Sequence, residues 1–295
     1  MWWFGGFPAT RITTGNFKGI NHMTIWQAIL LGILQGLTEF LPISSSAHLV
    51  IVPYLLGMQI PADQIFPFNV LVQLGTLAAV IIYFRADLWN IIRDFISGLF
   101  YRKPFGSPNA RSGWLLILAT IPAGLFGVLI KDMVEQAFSS VVATALLLLV
   151  TAMMLFAAEK IGKPEKQLAQ LTWLDALIIG LFQALAIFPG ISRSGSTIAG
   201  GMFRQVRRED AARFSFLMSI PIMLGAGIFS LKDLFEISDL SAFITPMAIG
   251  FVSAGIIGYV SIHWLLLFLN KHKLSSFAFY CIGLSALTLV VTMVR

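Results

Sequence analysis

Residues 35–48 read Gln-Gly-Leu-Thr-Glu-Phe-Leu-Pro-Ile-Ser-Ser-Ser-Ala-His, inside a segment that is otherwise apolar. Pro42 interrupts this segment, and Glu39 places a carboxylate within it. An acidic or basic group at the centre of a bilayer costs about 2.5–3.5 kcal/mol on insertion scales, so such residues usually mark a functional site. A second interrupted stretch, residues 188–197, reads Phe-Pro-Gly-Ile-Ser-Arg-Ser-Gly-Ser-Thr and places Arg193 in a similar setting. A buried acid and a buried base in two similar segments predict one shared site.

The two stretches also resemble each other when one is shifted along the chain onto the other. The matching pairs are Gly32 and Gly180, Gln35 and Gln183, Leu37 and Leu185, Phe40 and Phe188, Ile43 and Ile191, Ser44 and Ser192, and Ser46 and Ser194. The pairs that differ are Glu39 and Ile187, Ser45 and Arg193, and His48 and Ser196. A further match, Ala-Gly-x-x-Gly at 123–127 and 254–258, is typical of closely packed membrane helices. The pattern predicts an internal duplication whose halves have specialised chemically.

Composition places the chain among polytopic membrane proteins. Of its 295 residues, 57% are hydrophobic and only 12% are charged, and the mean hydropathy is +0.85. The net charge of +6 is attributed to membrane orientation, so no nucleic-acid partner is expected. The single cysteine, Cys281, excludes an internal disulfide and any multi-cysteine metal site.

The apolar segments differ in length, and a full span needs about 20 apolar residues. They lie at about 24–41, 43–57, 66–84, 113–131, 138–158, 173–188, 191–203, 213–231, 243–269 and 275–293. The two short pairs, 24–41 with 43–57 and 173–188 with 191–203, are predicted to form re-entrant hairpins. The other six are predicted to span the membrane. Residues 1–22 are predicted to be a tail, and 23–295 a single membrane domain with repeats at about 23–160 and 173–295.

Charge predicts how the chain is oriented. Most of the 20 Lys and Arg residues lie in four loops, at 85–111, 159–172, 204–213 and 270–274. These loops are predicted to be cytoplasmic, and both termini and the acidic loops at 132–137 and 232–242 extracytoplasmic. Three spans per half is an odd number, so the halves are inverted. We therefore predict an all-α polytopic membrane protein with two inverted-topology repeats, each a re-entrant helical hairpin plus three transmembrane helices.

Gln35 and Glu39 lie four residues apart and therefore share one face of a helix. Two oxygen ligands suit a hard divalent cation, Mg²⁺ or Ca²⁺, completed by water and substrate phosphate. The alternative is that Glu39 pairs with Arg193 and that no metal binds.

Three serines, Ser44, Ser45 and Ser46, follow Pro42 and begin a helix. Their hydroxyls and the free backbone N–H groups of a helix N-terminus suit an anion, whereas a simple N-cap needs only one serine. His48 follows within one turn, where it could act as general base on a serine or water, or attack phosphorus itself. The alternative is a buried histidine with a structural role.

The second hairpin supplies a cationic group among hydroxyls. Arg193 can bind phosphate through two charge-assisted hydrogen bonds. The hydroxyls around it belong to Ser192, Ser194, Ser196 and Thr197. Gly190 allows close approach of the backbone. The alternative is a structural ion pair between Arg193 and Glu39.

At these residues the chain resembles the bacterial undecaprenyl-diphosphate phosphatase family of the bacitracin-resistance type. The run from Gln35 through His48 matches the first motif of that family, and Pro189 to Thr197 matches the second motif in full. The functional residues that the resemblance implies are Glu39, Ser45, His48, Ser192, Arg193 and Thr197, with Gln35 at a variable position. A glutamine there removes one negative charge from a metal site, so weaker metal affinity is expected.

The resemblance implies hydrolysis of undecaprenyl diphosphate to undecaprenyl phosphate and phosphate. This reaction returns the carrier lipid to peptidoglycan synthesis and opposes bacitracin. It also implies a multi-pass protein of the bacterial inner membrane, with a polyprenyl diphosphate lipid as substrate. The sequence leaves the oligomeric state open, and a homodimer is the assembly considered. The rival hypothesis is a transporter or flippase of a polyprenyl phosphate or another anion, since transporters share this repeat plan. His48 beside a serine run favours the enzyme, because a transporter needs no general base.

Overall fold

A computed structural model describes residues 22–129, 133, 140–162, 165–230 and 240–295. Regular structure in these ranges is helical, apart from one isolated bridge between Lys166 and Val206. The helices are α1 (Ile25–Phe40), α2 (Ser45–Leu56), α3 (Ala62–Tyr83), α4 (Arg85–Phe100), α5 (Pro108–Leu129), α6 (Val141–Ile161), α7 (Trp173–Leu185), α8 (Arg193–Phe203), α9 (Arg208–Ser230), α10 (Leu240–Leu269) and α11 (Ser275–Val294). Residues 1–21 of the predicted tail and most of both acidic loops lie outside the described residues.

Within the described ranges, six helices are long and apolar enough to cross a membrane: α3, α5, α6, α9, α10 and α11. They coincide with the six predicted spans, so the prediction of an all-α polytopic membrane protein is confirmed. The relation of the two halves as inverted repeats stays a prediction, as does the division into tail and membrane domain.

The two short pairs, α1 with α2 and α7 with α8, form the predicted helical hairpins. The longest of these helices, α1, has 16 residues and is therefore only ~24 Å long, shorter than the ~30 Å hydrocarbon core of a bilayer. It begins at a capping box in which Gln27 N donates to Thr24 Oγ1 and Thr24 N donates to Gln27 Oε1. It ends at Leu41, whose extended backbone is typical of the residue before a proline.

The first helix of each hairpin packs on a long helix of the other half. Helix α1 packs on α10, and α7 packs on α5. A Cβ added to Gly32 would lie 2.6 Å from Gly250 O, and one added to Gly180 would lie 2.5 Å from Ala119 O. Gly32 and Gly180 are one of the matched pairs in sequence, so the two halves use the same backbone contact. Both hairpins therefore pack on the long helices through small residues that allow close backbone contact.

Residues 85–111 were predicted to be a loop, but α4 occupies 85–100. Asp94 fastens α4 to the start of α5, accepting from Asn109 Nδ2 (2.9 Å), from Ser107 Oγ (3.0 Å) and from Arg93. These bonds, that from Asn109 foremost, lower the pKa of the Asp94 carboxyl. The prediction of a loop followed the charges, and those of α4 all lie within its first ten residues, at Arg85, Asp87, Arg93 and Asp94.

The four basic loops meet at one end of the helix bundle. The contacts that join them are Arg111 Nη2 to Leu171 O (2.7 Å), Arg207 N to Lys166 O (2.9 Å), Leu274 N to Glu159 Oε1 (2.8 Å) and Arg213 Nη2 to Asp87 Oδ2 (3.0 Å). At the opposite end, Arg295 Nη1 donates to Tyr54 O at 2.8 Å and joins the C-terminus to the open end of the first hairpin. The predicted cytoplasmic loops therefore share one face of the molecule.

Candidate active site

The turns of the two hairpins meet at an ion pair. Glu39 is in the last turn of α1, and Arg193 is the first residue of α8. Arg193 Nη2 donates to Glu39 Oε1. The Glu39 and Arg193 side chains are only 6% and 15% exposed. The structure thus brings together the acid and the base that the sequence places in separate apolar segments.

The second oxygen of Glu39 accepts two further hydrogen bonds. Ser45 Oγ donates to Glu39 Oε2 at 2.6 Å, and Gln35 Nε2 donates to the same oxygen at 2.9 Å. The shared helix face predicted for Gln35 and Glu39 is present, with the amide nitrogen turned toward the carboxylate. Glu39 therefore holds a serine hydroxyl at a distance suited to proton transfer.

Ser44 sets the direction of α2 and thereby of Ser45. Its side chain caps the helix, accepting from Ala47 N at 3.3 Å, and its backbone has φ +68°. A non-glycine residue in this region costs about 1–3 kcal/mol and is commonly found at functional sites. Ser192, the matching cap of α8, accepts from Gly195 N at 3.0 Å with an ordinary φ of −68°. The strain therefore lies in the half that carries Ser45.

The guanidinium of Arg193 is only partly used by the protein. Nη2 bonds Glu39 and lies 3.7 Å from Met223 Sδ, whereas Nη1 is buried and has no hydrogen-bond partner among the described residues. The N-termini of α2 and α8 lie beside it and add partial positive charge. A buried donor without a partner, at two helix N-termini, is suited to an anion.

The other hydroxyls of the second hairpin mostly bond the protein itself. Ser194 Oγ donates to Leu41 O at 2.9 Å and so links the two hairpin turns. Ser196 Oγ donates to Ser192 O at 2.7 Å. Thr197 Oγ1 lies 2.6 Å from Ser215 Oγ. In the first hairpin, Ser46 Oγ lies 3.1 Å from Ser44 Oγ.

Gly190 lies apart from the ion pair, where the hairpin turn packs against α6. It has φ +102°, and an added Cβ would lie 2.4 Å from Thr144 O. Its carbonyl accepts from Thr151 Oγ1 at 2.9 Å. The turn and the packing both require a glycine here, and the structure does not bring Gly190 into the bonded cluster around Glu39.

The ring nitrogens of His48 bond partners other than Ser45. Its Nδ1 lies 2.7 Å from Ser44 O, and its Nε2 lies 2.8 Å from Tyr280 Oη. The His48 and Tyr280 rings are nearly parallel, with centroids 5.6 Å apart. Tyr280 was not among the residues predicted from the sequence, because a tyrosine in an apolar span shows no pattern that marks a site.

A pocket of about 340 Å³ opens beside His48 and Tyr280. Its walls come from α1, α10 and α11 and are mainly apolar, including Leu34, Leu37 and Trp264. The pocket therefore extends from exposed apolar side chains, among them Leu37 and Trp264, to His48 in the first turn of α2.

The arrangement does not fit a divalent cation as it stands. No group of three His, Cys, Asp or Glu side chains suited to a metal occurs among the described residues. Both oxygens of Glu39 accept from Arg193, Ser45 and Gln35. A cation at Glu39 would have to displace one of these donors.

Fold and site together define a multi-pass membrane protein in which two interrupted helical hairpins meet at a buried ion pair. Comparison with known proteins assigns the family: the model described as "Bacitracin resistance protein BacA" matches residues 28–287, and the chain belongs to this family.

Curated relatives agree along nearly the whole chain. A protein of Myxococcus xanthus named undecaprenyl-diphosphatase is 42% identical over 269 residues, which cover 91% of this chain and 89% of that protein. Its namesake from Chlorobaculum parvum is 43% identical over 280 residues, covering 92% and 98%. That of Chloroherpeton thalassium is 45% identical over 277 residues, covering 91% and 97%.

Proposed function

We propose that this protein hydrolyses undecaprenyl diphosphate to undecaprenyl phosphate and phosphate. In doing so it recycles the carrier lipid for peptidoglycan synthesis and provides resistance to bacitracin. The observation that carries the proposal is the buried, unpartnered Nη1 of Arg193 beside the hydrogen bond from Ser45 to Glu39. The name shared by the relatives supports the choice of substrate.

Arg193 binds the diphosphate through its guanidinium, and Ser45 is the nucleophile. The Ser45 Oγ proton passes to Glu39 Oε2, the acceptor 2.6 Å away. A bond forms between Ser45 Oγ and the terminal phosphorus, the bond from that phosphorus to the bridging oxygen breaks, and undecaprenyl phosphate leaves. Arg193 and the N-termini of α2 and α8 stabilise the charge that develops on the phosphoryl oxygens.

Water then hydrolyses the phosphoserine. Its oxygen bonds to phosphorus as the bond to Ser45 Oγ breaks, and Glu39 returns its proton to Ser45. The proton lost by water passes to His48, one turn along α2, and from there to solvent. Glu39 and His48 thus serve as proton acceptors in successive steps, each contributing about 10²–10⁴-fold.

We place the first part of the lipid tail in the apolar pocket beside His48, whose lining comes from the first hairpin, α10 and α11. The protein is placed in the bacterial inner membrane with both termini extracytoplasmic, so that the basic loops face the cytoplasm. It assembles as a homodimer and has no nucleic-acid partner.

A divalent cation, Mg²⁺ or Ca²⁺, would be held by Glu39 and Gln35 together with oxygens of the diphosphate, and it would offset the negative charge of the phosphates.

The test is phosphate release from a C₅₅ polyprenyl diphosphate by the purified protein in nanodiscs. Ser45→Ala is expected to reduce release by at least about 10³-fold, since it removes the nucleophile. Ser261→Ala is the matched control, because this buried hydroxyl bonds only Ile257 O of its own helix, and parent activity is expected. Parent-like release by Ser45→Ala would rule out the serine mechanism. A parent protein that releases no phosphate but moves polyprenyl phosphate across a bilayer would favour the flippase hypothesis.

A further inference from the structure

The His48–Tyr280 contact defines where the hydrogen atoms of the imidazole lie. A carbonyl oxygen only accepts, so the 2.7 Å contact with Ser44 O places a hydrogen on Nδ1. In the neutral ring, Nε2 is then the acceptor, and the Tyr280 hydroxyl donates to it at 2.8 Å. Both nitrogens of a ring that is only 1% exposed are therefore held by named partners.

Neighbours on α11 determine the position of Tyr280. Cys281 Sγ lies 4.0 Å from Pro42 O, at the turn of the first hairpin. Ser285, one turn further along, donates to Ala145 O of α6 at 2.7 Å. These two contacts set the rotation and height of α11, so the Tyr280 hydroxyl reaches Nε2 because the helix is anchored on both sides.

We propose that Tyr280 is a positioning residue for His48: it holds the imidazole as the neutral Nδ1–H form with Nε2 directed at the apolar pocket. The inference rests on the proposed function, in which His48 accepts the proton of the hydrolytic water. Without the hydroxyl, Ser44 O would be the only partner of the ring, and the ring could turn about its Cβ–Cγ bond.

The position of Tyr280 also explains how water reaches Nε2 of the buried His48. Tyr280 is 47% exposed and lines the same pocket as His48. The water that gives up its proton replaces the Tyr280 hydroxyl at Nε2, and the imidazole is already oriented toward the pocket when it does so. The ring then needs no rotation during the reaction, which lowers the barrier to proton transfer.

The test compares Tyr280→Phe with Tyr83→Phe. The first keeps the ring that stacks on His48 and removes only the hydroxyl. The second removes the same atom from a tyrosine–histidine contact outside the site, Tyr83 Oη to His263 Nδ1 at 3.2 Å. Two measurements are made on each protein in nanodiscs: kcat and KM for phosphate release, and ¹⁵N NMR of the histidine rings with His48→Gln for assignment.

Tyr280→Phe is expected to lower kcat by about 10- to 100-fold, a loss comparable to that caused by removing the outer partner of a metal-ligating histidine. KM should stay within about twofold, because the pocket wall is unchanged. The His48 Nε2 resonance should move toward that of an unbonded nitrogen. Tyr83→Phe should change neither kcat nor the His48 resonances.

A parent-like kcat in Tyr280→Phe, or an unchanged His48 spectrum, overturns the assignment. A rise in KM at constant kcat also overturns it, since Tyr280 would then contact substrate instead of positioning His48. A parent protein without phosphatase activity overturns the proposed function together with the role of His48. The NMR spectrum still reports the Tyr280–His48 bond in that case, so the two failures are distinguishable.

Discussion

Glu39 and Arg193 form an ion pair across 154 residues of sequence and thereby join the turns of the two hairpins. Both side chains are too buried for water alone to hydrogen-bond their charged groups. Removing one partner of a buried pair typically costs about 3–5 kcal/mol, because the other charge is left uncompensated. Loss of either side chain alone would therefore destabilise the contact between the two hairpin turns.

Arg193→Lys is expected to lose both substrate binding and turnover. The guanidinium offers Nη1 to phosphate while Nη2 is near Glu39, and a lysine ammonium cannot occupy both positions. Binding of polyprenyl diphosphate and phosphate release, measured on the same nanodisc preparation, should each fall by about 10²-fold or more. Normal binding with slow release would mean that Arg193 acts in the chemical step alone.

Gln35→Glu tests the predicted cation. A second carboxylate beside Glu39 would attract a divalent cation more strongly, so half-maximal activity should need less Mg²⁺ or Ca²⁺. Glu39→Gln should abolish most turnover at any cation concentration. The measurement is phosphate release as a function of Mg²⁺ or Ca²⁺ concentration. Parent-like activity of Gln35→Glu in excess chelator would contradict cation dependence.

Gly190→Ala should destabilise the protein by about 2–4 kcal/mol, since the left-handed backbone and the contact with Thr144 O both exclude a side chain. Gly124→Ala is the control, because an added Cβ there has no neighbour within 4 Å. Thermal unfolding in detergent should separate the two variants clearly. Equal unfolding temperatures would argue against the tight turn.

Asp94→Asn should loosen the junction of α4 and α5 at neutral pH. Hydrogen bonds from Asn109 and Arg93 depress the pKa of Asp94 in the folded protein, so its stabilising effect is present above the unfolded pKa. That effect is lost as the pH falls through the folded value. Hydrogen exchange of α4 should be faster in the variant at pH 7, and the difference should vanish in acid. A pH-independent difference would assign the effect to geometry instead of charge.

Single-cysteine labelling tests the predicted orientation in a Cys281→Ser background. Lys103→Cys, in an exposed turn after α4, should resist a membrane-impermeant reagent applied from outside the cell. Gln59→Cys, beyond the open end of the first hairpin, should react. The opposite result would reverse the assignment of the two faces.

The sequence by itself determined the features that depend on local composition. Six long apolar segments became six long apolar helices, and Pro42 and Pro189-Gly190 interrupted the short ones. Burying either Glu39 or Arg193 without a partner is costly, and this cost predicted that the two side chains would contact each other. The matched glycines Gly32 and Gly180 indicated equivalent packing surfaces, which the backbone contacts bear out.

Only the tertiary structure decided which partner each functional group has. Ser45 bonds Glu39, while His48, three residues along the same helix, turns to Tyr280, which is 232 residues distant. These pairings depend on how each helix is rotated about its axis, and packing against distant helices sets that rotation. Local periodicity says which face of a helix is apolar, but a helix that is apolar nearly all round, such as α11, leaves its rotation undetermined until its neighbours are in place.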